Sequence, residues 1–128
     1  MCETEIYDLD KAWHGIHFLL TGTPEGGEFP LNFIAHGGKE IGEDIGYGPL
    51  RVLFSKEVEE LKQRLEKMPV NDIAKKYNIE ALNKNEIYPL TNNWTEEDKS
   101  WLIEEYDGLR NFIIDASKNQ KIIFVAIV

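Results

Sequence analysis

One cysteine, Cys2, is all the chain contains, which excludes a disulfide framework and any cluster of thiolates around a metal. Basic residues are few beside acidic ones, 14 against 23, for a formal charge of −9. That field opposes a phosphate backbone, so no nucleic acid is expected as a partner, and it suits a basic or cationic one. The same charge also serves plain solubility. No apolar run approaches the roughly 20 residues that span a bilayer. The longest, Ile122 to Val128, has the length of a strand. Met1-Cys2-Glu3-Thr4-Glu5 is acidic where a secretory signal carries positive charge ahead of an apolar region. The expectation is a cytoplasmic protein with no membrane contact. Also missing are a Gly-x-Ser-x-Gly elbow, a Gly-Lys-Ser/Thr phosphate loop and an Asp-x-Asp-x-Asp-Gly calcium loop. No cofactor and no metal site are therefore expected.

The 128 residues, 42% of them hydrophobic, suit a single domain over 1–128. Along Asp10 to Gly22, Leu9, Trp13, Ile16 and Leu20 recur at helical spacing, with His14 and His17 three apart on the adjoining flank. Asp8 or Asp10 can open this helix, and Gly22 with Pro24 closes it. Leu31 to Ala35, bounded by Pro30 and Gly37-Gly38, reads as a strand, and the segment 36–49, with five of the ten glycines, as a loop. Leu50 to Phe54 reads as a second strand, ended by Ser55 capping the next helix, in which Val58, Leu61, Leu65 and Met68 form the buried stripe. Short helices follow Pro69, with Asn71 as a cap, and Asn78. A capping box of Thr95 and Asp98 starts a long helix with Leu102, Tyr106, Leu109, Ile113 and Ala116 inward. The β-branched run from Lys121 to Val128 reads as a strand buried on both faces.

These elements define an α/β (or α+β) fold with a small three- to four-stranded sheet and helices around it. Three strands are few for so many helices. A further neighbour is expected from residues 2–8, from the glycine segment or from a second copy, so a homodimer is one expected assembly.

Candidate chemistry lies in a few places. His14 and His17 with Glu43 or Asp44 could serve as general base and partner in a hydrolytic enzyme. The same four could be read as a metal set, but the spacing of three lacks the pattern of helical zinc sites. Carboxylates at 40, 43 and 44 would repel phosphate from the glycine loop, which is better read as a turn-rich rim. Trp13, Tyr47 and Tyr88 combine a large apolar body with a polar tip, as binding clefts and core edges both require.

Asp10-Lys11-Ala12-Trp13-His14-Gly15-Ile16-His17-Phe18-Leu19-Leu20-Thr21-Gly22, then Gly42-Glu43-Asp44-Ile45-Gly46-Tyr47-Gly48-Pro49-Leu50-Arg51, then Leu82-Asn83-Lys84-Asn85-Glu86-Ile87-Tyr88-Pro89 with Trp94, together resemble the YfbM-like family of bacterial proteins. The resemblance covers about residues 9–128 and implies a three-layer α/β fold with no established activity. Members of that family carry a strand-and-helix segment ahead of the Asp-Lys-x-Trp block, where nine residues stand here. The expectation is that a second copy, or residues 2–8, covers the sheet edge so exposed.

Two functions follow. The first is a binding module, with Trp13, His14, His17, Glu43, Asp44, Tyr47, Arg51 and Tyr88 about a cleft for a partner protein or small polar ligand. An immunity-like role against a basic toxin would suit it. The alternative is the hydrolase that uses His14 or His17 with Glu43 or Asp44.

Overall fold

A computed structural model describes residues 7–42 and 50–126. Tyr7 docks on the long C-terminal helix, its hydroxyl donating to the Glu105 carbonyl at 3.2 Å and its ring 5.7 Å from that of Phe112. Neither Tyr7 nor Asp8 joins the sheet, and the rest of the proposed N-terminal strand, residues 2–6, lies outside the described residues. The Asp8 carboxylate accepts from the Asp10 amide at 2.8 Å, opening a 3-10 turn, Asp10–Ala12, that runs into α1, Trp13–Thr21. As the sequence indicates, Gly22 ends α1 at φ 77°, its amide donating to the Phe18 carbonyl.

Among the described residues the sheet has three antiparallel strands in the order β1 (Lys39–Ile41), β2 (Leu50–Leu53), β3 (Ile123–Val125). Its register sets Glu40 opposite Arg51, and Val52 opposite Phe124. The glycine segment thus supplies one of the strands, one of the sources considered for it.

Residues 31–35 correct the reading as a strand. They wind as consecutive turns, with the Asn32, Phe33 and His36 amides donating to the Glu28, Pro30 and Asn32 carbonyls. Asn32, Phe33 and Ile34 are successive and all buried, which a strand with one face on the core cannot arrange but a coiled turn can. The C-terminal run is also corrected. Ile123 is buried, but Phe124 is 56% exposed, on an edge strand whose alternate residues face outward.

Helix α2, Ser55–Glu66, has Phe54 rather than Ser55 at its N-cap, and the Glu57 carboxylate accepts from the Phe54 amide at 3.1 Å. The Ser55 hydroxyl instead donates to the Gln120 carbonyl. Pro69, not Asn71, precedes α3, Val70–Ala74. Asn78 caps α4, Ile79–Lys84, through its side-chain oxygen. The predicted capping box is present, with one Asp98 oxygen accepting from both the Thr95 amide and hydroxyl ahead of α5, Lys99–Lys118.

The core forms where the stripes of α2 (Val58, Leu61, Leu65) and α5 (Leu102, Tyr106, Leu109, Ile113, Ala116) meet Ile16 and Leu20 of α1 and the inward Leu53 and Ile123 of the sheet. The polar tips of its two tyrosines and of Trp94 are used. Tyr106 donates to the Met68 carbonyl at 2.7 Å, Tyr77 to the Thr95 carbonyl at 2.6 Å and the Trp94 indole to the Ile87 carbonyl at 2.8 Å. Burial pushes both tyrosine hydroxyls up to about 12.

Gly38 separates two costs of a positive φ. At φ 79° an added Cβ would stand 2.7 Å from the Val52 carbonyl oxygen, which belongs to the sheet backbone and cannot turn aside. Gly38→Ala is expected to lose about 3 kcal/mol, because the left-handed backbone alone costs about 1–2 and the collision adds to it. Gly22→Ala, at φ 77° with open space around it, is expected to lose only the first part. Urea unfolding of the two variants measures the difference, and equal losses would refute the collision.

Candidate functional site

Three of the residues that the sequence singles out converge on the surface where α1 meets the turn after α4. α1 carries Trp13 and His14 side by side, and their rings stack at 4.9 Å with 19° between planes. Tyr88 arrives from the turn, its ring 6.0 Å from that of Trp13. The Tyr88 backbone amide donates to His14 Nδ1 at 3.0 Å. His14 Nδ1 is therefore an acceptor, so the ring proton sits on Nε2, which donates to the Pro24 carbonyl at 2.9 Å. Both nitrogens are in use, holding together α1, the turn and the loop that follows α1. Trp13 and His14 are half-buried, and Tyr88 is 44% exposed. The result is a short aromatic surface whose one imidazole is fixed by two hydrogen bonds.

His17, one turn on, faces inward and is fully buried. Neither of its ring nitrogens has a hydrogen-bond partner among the described residues. Burial lowers its pKa first, and His14 and His36 nearby lower it further. The sign of the pH effect follows. The unfolded chain takes up the proton near 6.5 and the folded one resists it, so this part of the stability is intact above about 6.5 and is lost progressively as pH falls from there through the lowered folded value. His17→Leu is expected to flatten the stability profile between pH 7 and 5 without loss at pH 7.5, as denaturant midpoints at each pH will show. An unchanged slope would contradict it.

Arg51 is also buried, and its part is internal. Its guanidinium donates to the Phe33 carbonyl at 2.9 Å, the Gly37 carbonyl at 3.0 Å and the Ile34 carbonyl at 2.6 Å. Burial lowers its pKa while Glu40 across the strand pair opposes that change. Glu43, Asp44 and Tyr47 lie outside the described residues. The eight candidates thus separate into a surface trio, two buried residues and three that are not described.

Sequence spacing did not point to His36 or to the Pro24–Gly26 segment. The His36 Nε2 meets the Glu25 carbonyl, next in line to the carbonyl that His14 holds. Asn32 donates to the Gly27 carbonyl at 3.2 Å, while its own side-chain oxygen is buried with no partner among the described residues. A shallow cavity of about 500 Å³ between the last turn of α1 and residues 75–78 is lined by Phe18, Leu20, Lys75 and Tyr77 among others, and by none of the predicted site residues. Among the described residues, no group of three or more His, Cys, Asp or Glu side chains could hold a metal ion, and no helix is long and apolar enough to cross a membrane.

A small antiparallel sheet packed with helices places the fold in the α/β class, and the family model described as a domain of unknown function (DUF1877) matches residues 2–126. The chain belongs to that family. Protein YfbM of Escherichia coli (strain K12) is a relative, 35% identical over 86 residues that make up 64% of this chain and 50% of that protein. The chain thus spans about half the length of the curated relative it matches. The crystal structure of YfbM from Escherichia coli, described as a protein of unknown function, is similar at a TM-score of 0.64 and 29% identity. That likeness covers 87% of this chain and 70% of the other.

Proposed function

We propose that the chain is a binding module that engages a basic protein or peptide through the surface of Trp13, His14 and Tyr88. The observation that carries this reading is the aromatic cluster itself, with Trp13 stacked on His14 and tilted beside Tyr88. Tyr and Trp side chains held in place and partly exposed bury large area at small entropic cost, which is why they dominate binding hot spots. His14 is part of the scaffold of that surface, with both nitrogens committed. The net charge of −9 supplies attraction for a cationic partner. An antidote to a basic toxin is one role that meets these terms. Hydrolysis has less support, since His14 would have to surrender a hydrogen bond and His17 would have to reach solvent.

Titration calorimetry with Lys/Arg-rich peptides that contain one aromatic residue, alongside Asp/Glu-rich versions of the same length, tests the reading. Saturable binding of the basic set, weakened by salt, is expected. Failure of the basic set to bind, or equal binding of the acidic set, would remove it.

A further inference from the structure

The small sheet has two apolar faces. Arg51 and Leu53 of β2 point into the molecule, whereas Leu50, Val52 and, just past the strand, Phe54 alternate onto the other side. The strand register carries that second face across the sheet, with Ile41 opposite Leu50 and Phe124 opposite Val52. Ile122, two residues before Phe124, falls on the same side. Among the described residues six large hydrophobic side chains are exposed, and five of them are here: Ile41 at 39%, Leu50 at 38%, Phe54 at 47%, Ile122 at 45% and Phe124 at 56%. Val52, at the centre, is buried, yet it is not part of the core cluster that holds Leu53 and Ile123.

We propose that this face is where two copies of the chain meet, sheet on sheet, as a homodimer with a two-fold axis. This claim goes beyond the binding reading and shares no residue with the surface of Trp13, His14 and Tyr88.

Charge and area select a second copy over other occupants. Lys39, opposite Val52, is the one charged side chain among the described positions of the face. A basic peptide finds no carboxylate at those positions, and an anionic lipid or nucleic acid finds a single lysine on a chain of net charge −9. What the face matches is another flat apolar layer. A second copy presents one, since sheets stack about 10 Å apart with the side chains of their facing sides interdigitated. Five side chains 38–56% open, at roughly 200 Å² each, supply on the order of 450 Å² per copy and about 900 Å² across a dimer. With the rim added, that reaches the roughly 1,000 Å² of a small specific interface. A two-fold axis uses the same patch twice, so the assembly closes at two. An interface of this size leaves monomer and dimer in exchange, and salt favours the dimer by screening the repulsion between two chains of charge −9. Salt weakens a basic partner at the aromatic surface, so the two claims fail separately.

Analytical ultracentrifugation of the full chain from about 10 μM to about 1 mM, at low and at high salt, tests the dimer. The mass is expected to rise with concentration from one chain to two, to rise further at high salt, and to stop at two. Phe124→Lys on β3 and Ile41→Lys on β1 each put a charge into the face from opposite sides of the sheet. Each should weaken dimerisation by about tenfold or more while the helical circular dichroism stays as in the parent. Both side chains are exposed, and should one variant not fold, the other decides. A chain that stays monomeric throughout would leave the face to an unlike partner and overturn the proposal. A dimer that both variants leave intact would place the contact elsewhere and overturn it too, as would growth past two copies.

Discussion

Arg51→Leu is expected to destabilise the fold by about 3–5 kcal/mol, the largest single loss for any residue outside the apolar core. Hydrogen bonds to a charged donor contribute about 1.5–3 kcal/mol each, but three made by one side chain are not independent. What raises the cost is what remains behind. The Phe33, Ile34 and Gly37 carbonyls point at the guanidinium rather than at an amide, and a leucine leaves them buried with an acceptor unfilled. For a domain of this size the loss should lower Tm by about 10–20 °C. Arg51→Lys is expected to recover little, because one ammonium cannot span three carbonyls that a planar fork reaches at once. Thermal unfolding of both variants checks this, and a Lys variant as stable as the parent would show that charge, not geometry, is what the site requires.

Arg51 also shows what the sequence held and concealed. The sequence reading sets it about a cleft beside the glycine-rich segment. Yet in Leu50-Arg51-Val52-Leu53 the alternation of a strand puts Arg51 on the same face as Leu53, which is core. That period-2 signal was available and points inward. The carbonyls awaiting it were not, because Leu31 to Ala35 read as a strand, whose backbone neighbouring strands would satisfy.

The helices, by contrast, were legible almost to the residue. Periods of three and four in α2 and α5 arise from burial on one face, and every residue of the α5 stripe is in the core. Caps carry local chemistry, so Gly22 and the Thr95–Asp98 pair were readable, while Asn78 was legible only as a break, and Phe54 and Pro69 have no side-chain acceptor to announce them. The site was half legible for the same kind of reason. Trp13 and His14 are adjacent on one helix, but Tyr88 is 74 residues from His14 and is joined to it through its backbone amide. No side-chain pattern encodes such a bond.

Tyr88→Ala is expected to cost about 2 kcal/mol of binding to a basic aromatic peptide, roughly a thirtyfold weaker Kd, while Tm moves by no more than about 2 °C. The reasons are separable. The side chain is exposed, so its removal leaves little cavity, and the bond to His14 is made by the main chain and survives. Trp13→Ala should weaken binding by a similar factor but also destabilise the fold, since its ring packs against the core cluster as well as against His14. A Tyr88→Ala chain that binds as well as the parent would remove the ring from the surface. Loss of stability without loss of binding in Trp13→Ala would assign that indole to the core alone.

The most direct test of the binding surface is an amide and indole NMR titration of the labelled chain with a Lys/Arg-rich peptide bearing one aromatic residue, at low salt. The Trp13 indole, the His14 ring and the Tyr88 amide should show the largest shifts, saturating together and reversing on addition of salt. A saturable titration that leaves those three unmoved, or no titration at all, would contradict the assignment of this surface to a basic partner.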